Sequence, residues 1–343
     1  MDRTKIKTIL LSRDDNLGDA VLLIPAAGLL KQQYPDSRIL FLGRSYQRAI
    51  IESCRHFDGF IGWDEMKTQP LKRQAEFLAA LKIDVFVSVK PRRPIVTAAR
   101  MAGIPHRIGS ADRIFHFFNC NHIPFVWRQR SKHHEAQTNI RLLSSILDRV
   151  DYSLEELHPL LGLDTSEILA TKIKKALSKS KFNLILHPLS NGHAKEWPIE
   201  NYLSLVRLLP AEKFNIIVTG TEKEGELLRE KLLRPAKKRI VNLTGKINVS
   251  DLPGLIAHAD GLIATSTGPL HIAAAASIHT LGLYVQRWQL RPERYGPIGK
   301  HASVMVHDER CPTCLANKDC DCINLISPVR VAEHIRNWTK IKQ

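Results

Sequence analysis

The sequence contains no apolar run long enough to cross a bilayer. Its longest candidate, residues 20–30, is interrupted by Pro25 and Gly28, whereas a spanning helix needs about 20 residues. Residues 1–11 carry basic and aliphatic side chains but no long apolar segment and no small-residue cleavage site, so an unsecreted, cytoplasmic chain is expected. Cysteine is scarce, six among 343 residues, which excludes a disulfide scaffold, and a cytoplasmic chain keeps its thiols largely reduced. Walker A and G-x-G-x-x-G sequences are missing, which counts against ATPase and dinucleotide-binding classes. No H-E-x-x-H motif offers a catalytic cation site. A phosphate bound here would be neutralised by lysine and by helix dipoles.

Positive charge is what the chain has in excess. Fifty Lys and Arg against 34 Asp and Glu give a formal charge of +16, which implies an anionic partner. The excess is concentrated: residues 86–134 hold nine Lys or Arg and five His against one acid, Asp112. Hydrophobic content of 44% and a length of 343 residues suit two α/β domains. Short β-branched runs alternate with amphipathic stretches in both halves, the pattern of parallel sheets wrapped by helices. Strands are expected at 8–12, 38–42, 85–89, 183–187, 214–220, 240–243, 261–264 and 280–285. Helices are expected at 20–33, 142–150, 166–180, 199–209, 222–233, 249–259 and 268–276.

Ligands of such sheets bind beyond the carboxyl ends of the strands, so three loops draw the search. Arg13-Asp14-Asp15-Asn16-Leu17-Gly18-Asp19 leaves the first strand, and Asp19 either caps the following helix or points into the crevice. His187-Pro188-Leu189-Ser190-Asn191-Gly192-His193-Ala194-Lys195-Glu196-Trp197-Pro198 collects donors suited to phosphate, with Lys195 as a point charge, or is an ordinary surface loop. Thr265-Ser266-Thr267-Gly268-Pro269-Leu270-His271 brings hydroxyls and a glycine to a helix N-terminus, which attracts anions. There His271 either faces a ligand or is a buried structural histidine.

Taken in order, these segments resemble glycosyltransferase family 9, the lipopolysaccharide heptosyltransferases. Leu17-Gly18-Asp19-Ala20 with Pro25 and Tyr34-Pro35-Asp36 resembles the family's opening, and His187-Pro188 through Lys195-x-Trp197-Pro198 its donor loop. Thr219-Gly220 with Glu222 and Glu224, Leu243-Thr244-Gly245, and Thr267-Gly268-Pro269-Leu270-His271 follow. The matches run from Ile9 to Val329. The resemblance implies a GT-B fold, two Rossmann-like domains with parallel sheets facing a central cleft. The expected division is an acceptor-binding domain over 1–165, a linker over 166–182 and a nucleotide-sugar-binding domain over 183–326. A C-terminal helix over 327–343 would then pack back toward the first domain.

The resemblance also implies inverting, metal-independent transfer of heptose from ADP-heptose to Kdo-lipid A or a heptosylated lipopolysaccharide core. Asp19 would be the general base. Ser190, Asn191, Lys195, Thr267 and Gly268 would hold the diphosphate, Glu224 the ribose, the backbone near Ile247 the adenine, and His271 the donor site. Ser266 stands where the family usually has Asp, which leaves another nucleotide sugar as the alternative donor. Lys90, Arg92 and Arg93 are expected to meet the acceptor's phosphates, and basic charge to hold the enzyme at the inner face of the cytoplasmic membrane. No cofactor is expected. Cys311-x2-Cys314-x5-Cys320-x-Cys322 offers four thiols for a structural zinc or iron, although its C-x-C step fits standard zinc motifs poorly. A nucleic-acid-binding protein is the alternative of another class. It is disfavoured because no aromatic-rich basic face is evident in the sequence. A catalytically silent scaffold is a third.

Overall fold

The computed structural model describes residues 2–164, 171–192 and 194–341, so the first five residues of the linker expected over 166–182 and residue His193 lie outside the described residues. The chain divides into two compact units, Met1–Asp164 and Thr165–Gln343. Each is built on one parallel sheet.

The first sheet contains β1 (Thr8–Ser12), β2 (Arg38–Gly43), β3 (Gly59–Gly62), β4 (Val85–Ser88) and β5 (His106–Ile108), in the order β3-β2-β1-β4-β5. β1 lies between β2 and β4, with Ile9 opposite both Ile39 and Val85. Ile9, Leu10 and Leu11 are wholly buried, as a central parallel strand covered on both faces must be, and the strand therefore reads as a continuous apolar run. Strand order reverses between β1 and β4. The segments leaving their carboxyl ends, Arg13 to Asp19 and Lys90 to Arg93, border the crevice that such a reversal creates.

The second sheet contains β6 (Phe182–His187), β7 (Phe214–Val218), β8 (Ile240–Asn242), β9 (Gly261–Thr265), β10 (His279–Tyr284) and β11 (Ala302–Val306). Its order is β11-β10-β9-β6-β7-β8, so the reversal falls between β6 and β9. The loops beginning at His187 and Ser266 both start from that edge.

Several local expectations are corrected. The helix expected over 20–33 is two, Leu17–Val21 and Ile24–Gln33. Pro25 sits in the first turn of the second, where its missing N–H costs nothing. The break is held by the Asn139 amide, whose Nδ2 donates to the Leu22 carbonyl at 3.0 Å. The helix expected over 142–150 lies earlier, at Glu135–Arg141. It starts at a capping box in which the Ala136 N–H donates to His134 Nδ1 at 3.2 Å and the His134 N–H to Gln137 Oε1 at 3.0 Å. Leu142, Leu143, Ile146 and Leu147 are buried in the turns that follow, so their spacing marked burial and not a helix. The C-terminal helix, Pro328–Arg336, buries Val331, Ala332 and Ile335 and packs on helix Ile199–Leu208. Among the described residues no helix is long and apolar enough to cross a membrane.

Candidate active site

At the crevice of the first unit, a buried arginine gathers carboxylates from two distant parts of the chain. Arg13, only 3% exposed, donates from Nε and Nη2 to the two oxygens of Asp15 at 2.9 and 3.2 Å, and from Nη2 to Asp19 at 2.7 Å. Its Nη1 meets Asn139 Oδ1 at 2.9 Å and Glu135 Oε1 at 3.0 Å. Arg128 approaches the same two acceptors, Glu135 at 2.6 Å and Asn139 at 3.0 Å. Arg92 donates to both oxygens of Asp14 at 2.9 and 3.0 Å, and Lys90 Nζ stands 3.5 Å from Asp15. Four cations thus answer four carboxylates, as buried charges require.

Burial works against the charge on Arg13, but Asp15, Asp19 and Glu135 outweigh it and raise its proton affinity well above normal. Asp19 responds in the opposite sense. Burial first, then the charges of Asp15 and Glu135, raise its pKa to about 7 against the pull of Arg13 and Lys90. A carboxyl poised there can accept a proton near neutrality. Helix capping, the alternative reading of Asp19, does not describe it. Asn16 occupies the N-cap position, and the Asp19 carboxylate turns to Arg13.

Of the three expected acceptor residues, Lys90 and Arg92 join this network, paired internally with Asp15 and Asp14. Arg93 lies exposed in the first turn of helix Arg93–Met101. Arg13, Asp14, Asp15, Arg128, Glu135 and Asn139 were not singled out from the sequence.

At the edge of the second sheet, four strand ends meet. His187, at the end of β6, forms a hydrogen bond through Nδ1 with Thr219 Oγ1 beyond β7 at 2.9 Å, and burial lowers the proton affinity of its imidazole against the opposing charge of Glu224. Glu224 has one carboxylate oxygen, Oε2, accepting from the Thr221 N–H at 2.6 Å and the Thr221 hydroxyl at 3.0 Å, a reciprocal cap on helix Glu222–Leu228. Ile247 follows β8 and the Gly245 turn, where φ is +65° and a Cβ would stand 2.9 Å from Glu222 Cα.

The β6 loop is folded on itself. The Ser190 N–H and hydroxyl donate to Glu196 Oε1 at 2.6 and 2.8 Å, and the hydroxyl accepts from the Ala194 N–H at 3.1 Å. Asn191 and Gly192 form its exposed tip with φ of +51° and +77°. Trp197 anchors the loop, wholly buried, with Nε1 donating to the Ile326 carbonyl at 2.9 Å. Lys195 points outward and pairs with Asp319 at 2.6 Å. Asp319 is 71% exposed, so water screens the pair and leaves it weak.

After β9, helix Gly268–Ala275 starts at Thr267 with no side chain capping its free N–H groups. The Thr267 hydroxyl is buried and has no hydrogen-bond partner among the described residues. An anion at the helix start would satisfy both. Ser266 neighbours the Tyr284 hydroxyl, which donates to the Tyr295 carbonyl at 2.7 Å. His271 is buried in the first turn of that helix.

The four clustered cysteines lie beyond β11. Their sulfurs all fall within 4.8 Å of one another, with Cys311–Cys320 at 3.5 Å and Cys314–Cys322 at 3.4 Å. Four Zn–S or Fe–S bonds of about 2.3 Å in a tetrahedron place sulfurs about 3.8 Å apart, so the set fits. Burial pushes the Cys314 thiol up to about 11, which a bound cation would reverse.

The model of glycosyltransferase family 9 (heptosyltransferase) matches residues 97–322. A Haemophilus influenzae protein named as an unconfirmed glycosyltransferase is 28% identical over 90% of each chain. Lipooligosaccharide heptosyltransferase 2 of Campylobacter jejuni serotype O:2 is 23% identical over 94% of this chain and 96% of its own. Among solved structures, Escherichia coli ADP-heptose lipopolysaccharide heptosyltransferase II superposes with a TM-score of 0.77 at 19% identity, over 96% and 98% of the two chains.

Proposed function

The chain belongs to glycosyltransferase family 9 and has the GT-B fold of its heptosyltransferases, and from that premise we propose a specific reaction for it. It transfers heptose from ADP-heptose to an acceptor hydroxyl on the inner core of lipopolysaccharide, inverting the anomeric carbon without a metal. The observation that carries the proposal is Asp19, buried beside Arg13 at the β1/β4 crevice with its pKa raised to about 7. Such a carboxylate removes the acceptor proton as the hydroxyl oxygen attacks the anomeric carbon. The leaving ADP takes the bonding electrons. Its developing charge is met by the N–H groups at the start of helix Gly268–Ala275, by Thr267 and Ser190, and by Lys195 once released from Asp319. Asn191 and Gly268 complete the diphosphate site, Glu224 meets the ribose, the backbone at Ile247 the adenine, and His271 lines the donor site.

Lys90, Arg92 and Arg93 face the acceptor's phosphates. Lys90 and Arg92 do so from the edge of the Asp19 network, where each is 41% exposed on its side chain. Ser266 makes the sugar the open variable, because a neutral hydroxyl binds a donor hydroxyl less strongly than a carboxylate does. A panel of nucleotide sugars incubated with Kdo-bearing lipid A decides it. ADP-heptose is expected to be consumed with release of ADP, and faster consumption of a UDP- or GDP-sugar would move the assignment to that donor.

The cysteine set we assign to a structural zinc or iron, on the convergence of its four sulfurs. It sits in the segment that also carries Asp319, the partner of Lys195. Protein purified without oxygen is expected to hold about one metal ion per chain by elemental mass spectrometry. Cys314→Ser should lose it and lower Tm by roughly 5 °C or more. A metal-free wild type with four titratable thiols would refute the assignment.

A further inference from the structure

Helix Ile114–Asn119 turns its apolar face outward. Ile114, Phe117 and Phe118, at spacings of three and four on one side of the helix, are 79%, 59% and 70% exposed. Phe125 and Trp127 follow, 88% and 43% exposed and stacked at 6.2 Å. Five large apolar side chains, four of them aromatic, thus stand exposed between residues 114 and 127. From the usual area of such side chains, on the order of 500 Å² of apolar surface stands in water, at the upper end for an isolated protein.

The face is held in place and is not a frayed end. On the helix's other side His116 is wholly buried, bonded through Nε2 to Ser88 Oγ at 3.1 Å and through Nδ1 to the Ser110 carbonyl at 2.8 Å. Arg100 and Arg107 donate to the carbonyls of Phe118 and Asn119 at 2.8 and 2.7 Å. The segment's far end, Arg128, is bound to Glu135 and Asn139, the same residues that hold Arg13. Both ends are therefore tied to the crevice of Asp19, one at the tip of β4 and the other in its charge network.

Charge decides the occupant. The exposed basic residues here are Arg113, Arg130 and Lys132, with no acid among residues 113–134, and the Arg130 guanidinium lies over the Trp127 ring at 4.9 Å. A second copy of the chain would bring like charges together. An anionic bilayer offers phosphates to the basic residues and the acyl boundary to the aromatic rings. We propose that the Ile114–Phe117–Phe118 face and the Phe125–Trp127 stack are the surface on which this protein lies on an anionic membrane. The proposal deepens the reading of a lipid-borne acceptor, since it would fix the Asp19 crevice at headgroup level, but its test requires no sugar transfer.

The test is flotation of the purified full chain with phosphatidylcholine vesicles containing or lacking phosphatidylglycerol. Wild type is compared with Phe117→Ser/Phe118→Ser and with Arg130→Ser/Lys132→Ser. Wild type should bind the anionic vesicles, and less so as salt rises. The aromatic double variant should bind about tenfold more weakly or worse, with its melting curve unchanged. The basic double variant should lose its preference for phosphatidylglycerol. Wild type that fails to float with anionic vesicles would overturn the proposal, as would an aromatic variant that binds like wild type. So would a wild-type oligomer that the aromatic variant converts to monomer, or an RNA that binds through the same four side chains more tightly than the vesicles.

Discussion

Asp19→Asn is expected to lower kcat by about a hundred- to ten-thousand-fold while leaving ADP-heptose affinity within a few-fold of wild type. Asparagine keeps the shape and the contact with Arg13 but cannot take a proton. The donor residues stand on the other sheet, so the loss should fall on kcat and not on donor binding. The pH dependence separates this role from simple damage. Because the Asp19 pKa is raised to about 7, wild-type kcat/KM should fall as pH drops through 7, and the residual activity of the variant should not share that limb.

Stability should move the other way. An ordinary Asp has a pKa of about 3.9 in the unfolded chain, so between about pH 4 and pH 7 the native state holds a proton that the unfolded state has released. Native stability therefore declines as pH rises through that window, and the whole cost is present above it. Asparagine carries no such cost. The variant's Tm should exceed that of wild type at pH 8 and match it near pH 4. A variant that is both inactive and less stable at pH 8 would mean that Asp19 is a structural group.

Arg13→Leu should destabilise the first unit by about 3–5 kcal/mol, read from the urea midpoint of its unfolding transition. Arg13 is the one cation in direct contact with Asp15, Asp19 and Glu135 together among the described residues. Removing it takes the nearest cation from Asp15 and Asp19, with Arg128 on Glu135 and Lys90 3.5 Å from Asp15 remaining. The same change withdraws the main attraction holding the Asp19 proton affinity down, so whatever activity survives should have its acid limb displaced above pH 7. Arg13→Lys keeps the charge but loses the two-pronged contact with Asp15, and should fall between wild type and Arg13→Leu. A cost below about 1 kcal/mol for Arg13→Leu would show that water or local rearrangement already compensates these carboxylates.

The parts of this fold that could be read in advance are those whose physics is local. β1, β6 and β9 are buried on both faces, so each is an apolar run with no polar alternation, and parallel sheets in two halves follow from that. β3 and β5 escaped notice because Gly59–Gly62 and His106–Ile108 are short edge strands, rich in glycine or charge and only partly covered. Pro25 did signal a helix start, but the apolar residues on both sides of it read as one helix.

The site divides in the same way. Asp19, Ser190, Lys195 and Thr267 lie in loops that leave strand ends, where sequence position alone implies proximity to a ligand. Glu135 and Asn139 reach Arg13 across more than a hundred residues, and nothing near them in sequence marks that contact. The spacing of Ile114, Phe117 and Phe118 was visible, yet an apolar helical stripe ordinarily faces a core, and only the buried His116 on the opposite side shows which way this one turns.

The most direct test of the account is a reaction of ADP-heptose with Kdo-bearing lipid A in the presence of a metal chelator, with wild type and Asp19→Asn side by side. The product is read by mass and the new anomeric centre by NMR. The account predicts that wild type adds one heptose with inversion and that the variant, still binding donor, adds almost none. Transfer at equal rates by both proteins, or wild-type transfer that stops when the chelator is added, would contradict it.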